Sequence, residues 1–141
     1  MASKRAYLDH LRNVPLFNSC SNKELQTIGK ATDELVVPAG HVLVDQGQMG
    51  REAFVIVDGS ATVKRNGKKV ATLGPGSVVG ELSLLDHGPR TATVTADADT
   101  TVLVIEQRHF VGVLESVPSI SRKLLASLAG RVREFDRQYY G

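Results

Sequence analysis

"ATVKRNGKKVAT", residues 61–72, decides the fold. Two short runs with basic residues next to the turn flank Asn66-Gly67, a dipeptide in which both positions tolerate positive φ and which therefore suits a two-residue hairpin turn. The two runs read as antiparallel neighbours. On either side lie more short runs rich in Val, Ile and Thr, each cut by a turn signal: "LVV" before Pro38-Ala39-Gly40, "HVLV" before Gly47, and "AFVIV" before Asp58-Gly59. Further along come "GPGSVVG", "TATVT" and "TVLVI". Eight short strands with no long helix between them exclude a parallel sheet and leave an antiparallel sandwich or barrel, for which a jelly roll is the expected form. The class is mainly β.

Helical patterns bracket the strands. "SCSNKEL" (19–25) places Ser21 three residues before Glu24, the spacing of a capping box, with Cys20 and Leu25 at staple positions. A short helix is expected from about Ser21 to Ala31. After Glu106 the period returns to three and four: Phe110, Val111 and Leu114 predict a short helix ending near Pro118. Ile120, Leu124, Leu128, Val132, Phe135 and Tyr139 then predict one amphipathic helix to the end. No repeat, low-complexity segment or linker interrupts the chain. The expected plan is one domain over 1–141, with an N-terminal helical segment (1–34), an eight-stranded antiparallel jelly-roll barrel (35–105) and C-terminal helices (106–141).

Composition narrows the function. At 141 residues with 42% hydrophobic residues, the chain supports one cored domain. Seventeen basic and fifteen acidic side chains leave a formal charge of +2, and the signs interleave, so nucleic acid is not an expected partner. Arg131, Arg133 and Arg137 on the last helix are likewise interleaved with Glu134 and Asp136 and read as a solvated face. One cysteine, Cys20, with no apolar leader before it, favours the cytoplasm. No run of eighteen apolar residues is present, so no membrane span is expected. Histidines at 10, 41, 87 and 109 lack metal-sharing spacings, and no nucleophile with an adjacent base, or cupin-type metal set, appears. Neither catalysis nor a metal or cofactor is expected.

One segment breaks the strand rhythm: "GELSLLDHGPRTATV", residues 80–94. Leu82, Leu84 and Leu85 suit a single helical turn, whose first N–H groups, at Leu82 and Ser83, attract an anion. Gly80 allows the bend and a close ligand approach. Arg90, held by Pro89 at the mouth of the next strand, can close a planar fork over the same anion. One guanidinium matches one phosphodiester charge, and no G-x-x-x-x-G-K-[ST] loop for a triphosphate is present. Glu81 would repel a phosphate, so it must accept from something else, and a ribose hydroxyl is the donor that a nucleotide offers. Sugar and phosphate held this close together suggest a cyclic nucleotide.

These residues carry a resemblance. The segment resembles the phosphate-binding cassette of the cyclic nucleotide-binding domain family, G-E-[LI]-[AGS] followed by P-R-[AST]-A, with Gly80, Glu81, Leu82, Ser83, Pro89, Arg90, Thr91 and Ala92 in register. "VPLFNSCSNKEL" and the turn glycines at 40, 47, 59, 74 and 76 are similar to family features as well. The resemblance implies a cassette over 80–92 in which Glu81 accepts from the ribose 2′-OH and Arg90 pairs with the exocyclic phosphate oxygens. Backbone amides of Leu82, Ser83 and Thr91 would complete the phosphate site. Family members with Ala at the position of Thr91 tend to prefer cAMP, and Thr is associated with contact to guanine, yet Ser and Thr also occur in bacterial cAMP receptors. The expected ligand is cAMP, with cGMP as the alternative.

The same resemblance implies a base lid from the final helix near Phe135, Asp136 and Tyr139, and pairing of two copies through that helix, with Leu124, Leu128 and Val132 as the seam. His87, inside the cassette loop, is a candidate pH sensor. The implied function is a regulatory module whose C-terminal helix passes occupancy to a partner or to a further domain, which Met1 would place after the chain's end. The alternatives are a scaffold of the same fold that no longer binds nucleotide and, less in keeping with the residues, a cupin-like barrel enzyme.

Overall fold

The computed structural model describes residues 4–140 apart from residue 87, with side chains described for 7–138. His87 and the side chain of Tyr139 therefore lie outside the described residues. The element order is α1 (Lys4–Arg12), a 3-10 turn (Pro15–Phe17), α2 (Asn22–Lys30), then β1 (Thr32–Val37), β2 (Val42–Val44), β3 (Glu52–Asp58), β4 (Ala61–Arg65), β5 (Lys68–Leu73) and β6 (Val78–Val79). A second 3-10 turn (Glu81–Leu84) precedes β7 (Thr93–Ala96) and β8 (Thr100–Glu106), and α3 (Gln107–Ser116) and α4 (Pro118–Tyr140) close the chain.

All strand pairings are antiparallel. They build two four-stranded sheets, β1-β8-β3-β6 and β2-β7-β4-β5, and among the described residues no ladder joins one sheet to the other. The expected eight antiparallel strands and jelly-roll form are present, with the correction that the barrel is not closed. Its two-residue strand β6 is cut off where the chain turns at Gly80, which leaves that edge too short to seal. The hairpin at 61–72 forms as expected: Asn66 has φ 54° and Gly67 φ 79°, and Arg65 pairs with Lys68.

β3 explains its own unbroken apolar run. Ala53, Val55 and Val57 face a cluster shared with the helices, whereas Phe54 and Ile56 face the cluster that includes Leu43, Val44, Val94 and Val102. Side chains alternate across a strand, so a strand covered on both faces must be apolar at every position. In the helical cluster Phe17 and Phe110 meet at 5.8 Å between ring centroids, with Leu11, Leu25, Ile28, Ile120 and Leu124 around them.

The capping box is present in full. Ser21 Oγ accepts from the Glu24 amide at 3.2 Å and Glu24 Oε1 accepts from the Ser21 amide at 2.8 Å. Cys20 and Leu25 are both buried, as a staple requires, and burial pushes the Cys20 thiol up, with Glu24 adding to the effect. Glu24 also reaches the other end of the chain: Ser119 Oγ donates to Oε2 at 2.6 Å and Lys123 Nζ to Oε1 at 2.5 Å. The first turns of α4 are anchored there, with Ile120 and Leu124 in the core. Leu124 therefore belongs to the body of the domain and is corrected out of the expected dimer seam, where Leu125 is the exposed leucine instead. From 129 to 138 every residue of α4 is exposed, so the helix leaves the body as an arm. No described helix is long and apolar enough to cross a membrane.

Candidate functional site

The chain leaves β6 through Gly80, whose φ of 74° is a left-handed conformation that costs a glycine nothing. The bend starts the 3-10 turn Glu81–Leu84, which buries Leu84 in the helical cluster. The same turn buries Ser83 and directs its hydroxyl to Arg90, whose Nη1 donates to Ser83 Oγ at 2.8 Å. The Ser83 amide bonds to the Gly80 carbonyl at 3.0 Å and closes the turn, so in this structure that amide is engaged internally.

Arg90 is fixed from its backbone outward. Its amide donates to the Gln48 carbonyl at 2.7 Å, its carbonyl accepts from the Gly47 amide at 2.9 Å, and Pro89 bridges to Met49. Burial pulls the guanidinium below its ordinary value and Glu52 acts against that shift; the group stays charged at neutral pH. Two glycines make room for it. A Cβ at Gly80 would fall on the Arg90 guanidinium, and one at Gly50 would lie 2.7 Å from Arg90 Cζ while colliding with Ser83 Oγ. Gly50 is a site residue that the sequence analysis did not identify.

Gly80, Glu81, Leu82, Ser83, Arg90, Thr91 and Ala92 line one cleft of about 550 Å3. Val44, Val63, Leu73, Val78, Val79 and Val94 supply an apolar wall, and Arg65, whose Nε donates to the Thr91 carbonyl at 3.1 Å, stands at the rim. An apolar cavity of this size with a few converging polar groups fits a small-molecule ligand. Phe135 and Asp136 do not line it; both are on the exposed arm of α4.

Glu81 is mostly buried, with its side chain 13% exposed. Oε1 lies 3.0 Å from Arg131 Nη1 on α4, and Oε2 is buried without a hydrogen-bond partner among the described residues. Arg131, which the sequence places on a solvated face, is thus a second residue in contact with the site that the sequence does not mark. The cleft thus sets a guanidinium and a half-satisfied carboxylate on the walls of one apolar pocket, an arrangement able to bind an anion and a hydroxyl donor together.

The family model described as cyclic nucleotide-binding domain matches residues 34–117, which include all eight cassette residues named above. This chain belongs to the cyclic nucleotide-binding domain family. It is 29% identical over 131 residues to the cyclic AMP receptor protein of Thermus thermophilus, covering 89% of this chain and 61% of that protein. It is 33% identical over 144 residues to a cAMP-dependent protein kinase regulatory subunit of Mycosarcoma maydis, covering 96% of this chain and 25% of that one. The crystal structure of the N-terminal domain of a transcriptional regulator from Streptomyces coelicolor superposes with a TM-score of 0.86 at 29% identity, covering 92% of this chain and 96% of that chain. This chain spans less than two thirds of the length of either of these two relatives.

Proposed function

We propose that this chain is a regulatory module that binds a 3′,5′-cyclic purine nucleotide, cAMP in preference to cGMP, and passes occupancy through α4 to a partner or a further domain. The observation that carries the reading is that Arg90, held by Ser83, and Glu81 line the same cleft beside a glycine-bent turn. Arg90 takes the phosphate and Glu81 the ribose 2′-OH. The purine lies along the apolar wall, with Thr91 beside it. Two relatives named for cAMP support that ligand over cGMP. The chain acts as a binder and not as an enzyme, and a cytoplasmic setting suits its single buried thiol.

A homodimer through α4 is part of the same reading. Leu125 and Val132 are each 67% exposed, and with Leu128 and Phe135 they recur at alternating steps of three and four, the spacing of a two-helix seam. A lid role for Phe135, Asp136 and Tyr139 requires the arm to fold back over the purine when ligand enters.

Calorimetric titration with cAMP and with cGMP, repeated on Arg90→Ala and Glu81→Ala, tests the proposal. Each substitution removes a charge-assisted contact worth about 1.5 to 3 kcal/mol, roughly one to two powers of ten in affinity. Absence of binding to either nucleotide by the unmodified protein supports the scaffold alternative, and binding that survives both substitutions unchanged places the ligand elsewhere.

A further inference from the structure

We infer that the two long sheet edges of this chain are complementary, and that a second copy docks its basic β5 edge against the acidic β1 edge of the first, head to tail. The inference goes beyond the ligand reading and does not depend on it.

Each sheet ends in two strands that have a neighbour on one side only: β1 and β6 in one sheet, β2 and β5 in the other. β6 has two residues and β2 three, too few to template a ladder, whereas β1 and β5 have six each. An uncovered edge of that length offers backbone N–H and C=O groups to which another chain can add a strand. Both edges are bare. Residues 33–36 of β1 and 68–72 of β5 are all exposed, so neither face of either strand is covered there. The exposed set includes Leu35 at 47%, Val36 at 63% and Val70 at 52%. β1 is moreover regular, paired with β8 at every position from Thr32 to Val37.

The two edges carry opposite charge in the same order. Along β1 the residues are Asp33, Glu34, Leu35 and Val36; along β5 they are Lys68, Lys69, Val70 and Ala71. Laid parallel, acid meets base twice and apolar meets apolar twice. Among the described residues no ion pair engages Asp33, Glu34, Lys68 or Lys69 within the chain. The basic edge is also held against repulsion, since Lys69 lies opposite Lys64 and Lys68 opposite Arg65 on β4. Like charges directly opposite weaken a ladder, and a strand bearing two carboxylates relieves them.

Charge also selects among the occupants. Two β1 edges would bring four carboxylates together and two β5 edges four lysines, so like edges reject each other and only the unlike pairing is favoured. Because the contact joins two different surfaces, its repetition adds copies one after another. β5 has a bulge at Val70, where Lys69 pairs with Lys64 and Ala71 with Val63. A bulge bends its strand, which keeps the shared ladder short and the association weak and concentration-dependent.

The test is charge exchange on the full chain, read by sedimentation equilibrium at concentrations up to about 1 mM, the range of a weak contact. The mass of the unmodified protein should keep rising past two copies, and raising the salt from about 0.05 M to about 0.5 M should reverse the rise. Asp33→Lys with Glu34→Lys, and separately Lys68→Glu with Lys69→Glu, should each weaken association about tenfold, since two attractive pairs become repulsive. Mixed in equal amounts, the two variants should assemble again, because every basic edge then meets an acidic one. Circular dichroism shows whether each variant is folded; one that is not is replaced by Asp33→Asn with Glu34→Gln, or by Lys68→Gln with Lys69→Gln, which should weaken association severalfold. An unmodified protein that stays at one or two copies across the range overturns the inference. So does growth that no folded variant weakens, or folded exchange variants that fail to reassemble when mixed.

Discussion

Lys123 Nζ lies 2.5 Å from Glu24 Oε1 and joins the last helix to the cap of the second. Hydrogen bonding from Lys123, then from Ser119 and the Ser21 amide, lowers the Glu24 carboxyl to about 2. A carboxylate whose folded value is depressed contributes stability above its unfolded value, near 4.3, and loses that contribution as pH falls toward the folded value. Thermal unfolding followed by circular dichroism should therefore show Glu24→Gln converging with the unmodified protein between about pH 4 and pH 2, and clearly less stable than it at pH 7. A constant gap across that range would show that the charge on Glu24 is not what holds α4.

Gly50 offers a way to disturb the clamp without touching a charged group. A Cβ there reaches both Ser83 Oγ and Arg90 Cζ. Gly50→Ala should weaken nucleotide binding by about tenfold or more, since displacing the guanidinium costs a charge-assisted contact. The binding loss should exceed any loss of thermal stability, a split measurable by calorimetry beside a melting curve.

Ser83 holds Arg90 by one hydroxyl at 2.8 Å. In Ser83→Ala the guanidinium keeps its backbone mooring but loses that orientation, while the amide of residue 83 keeps its bond to the Gly80 carbonyl in the 3-10 turn. The expected cost is about 1 kcal/mol, near fivefold in affinity, smaller than for Arg90→Ala. Equal losses for Ser83→Ala and Arg90→Ala would mean that Ser83 contacts the ligand directly.

What the sequence disclosed and what it withheld separate along the range of the interaction. The hairpin at Asn66-Gly67, the capping box at Ser21 and Glu24, and the break in strand rhythm at Gly80 are local, and each appears where the residues place it. The sequence marks α1 only as part of a helical segment, because Tyr7, Leu8 and Leu11 give too few turns to fix a period. Gly50 could not be identified as a site residue, since it lies forty positions before Arg90 and looks like ordinary turn chemistry. Arg131 was hidden by its neighbours: with Glu134 and Asp136 close by, it has the texture of a solvated face, and its partner is fifty positions away. Closure of the two sheets also depends on pairings between distant edges, which periodicity does not register.

Gly130 stands in the exposed part of α4 with nothing within 4 Å of where a Cβ would be, and a glycine inside a helix weakens it. The ten residues after it extend about 15 Å at the ordinary helical rise of about 1.5 Å per residue. A pivot of about 10° at that glycine would sweep the tip sideways by about 2 to 3 Å over such a length. A small bend at the glycine is thereby geared up to a larger displacement of the helix tip.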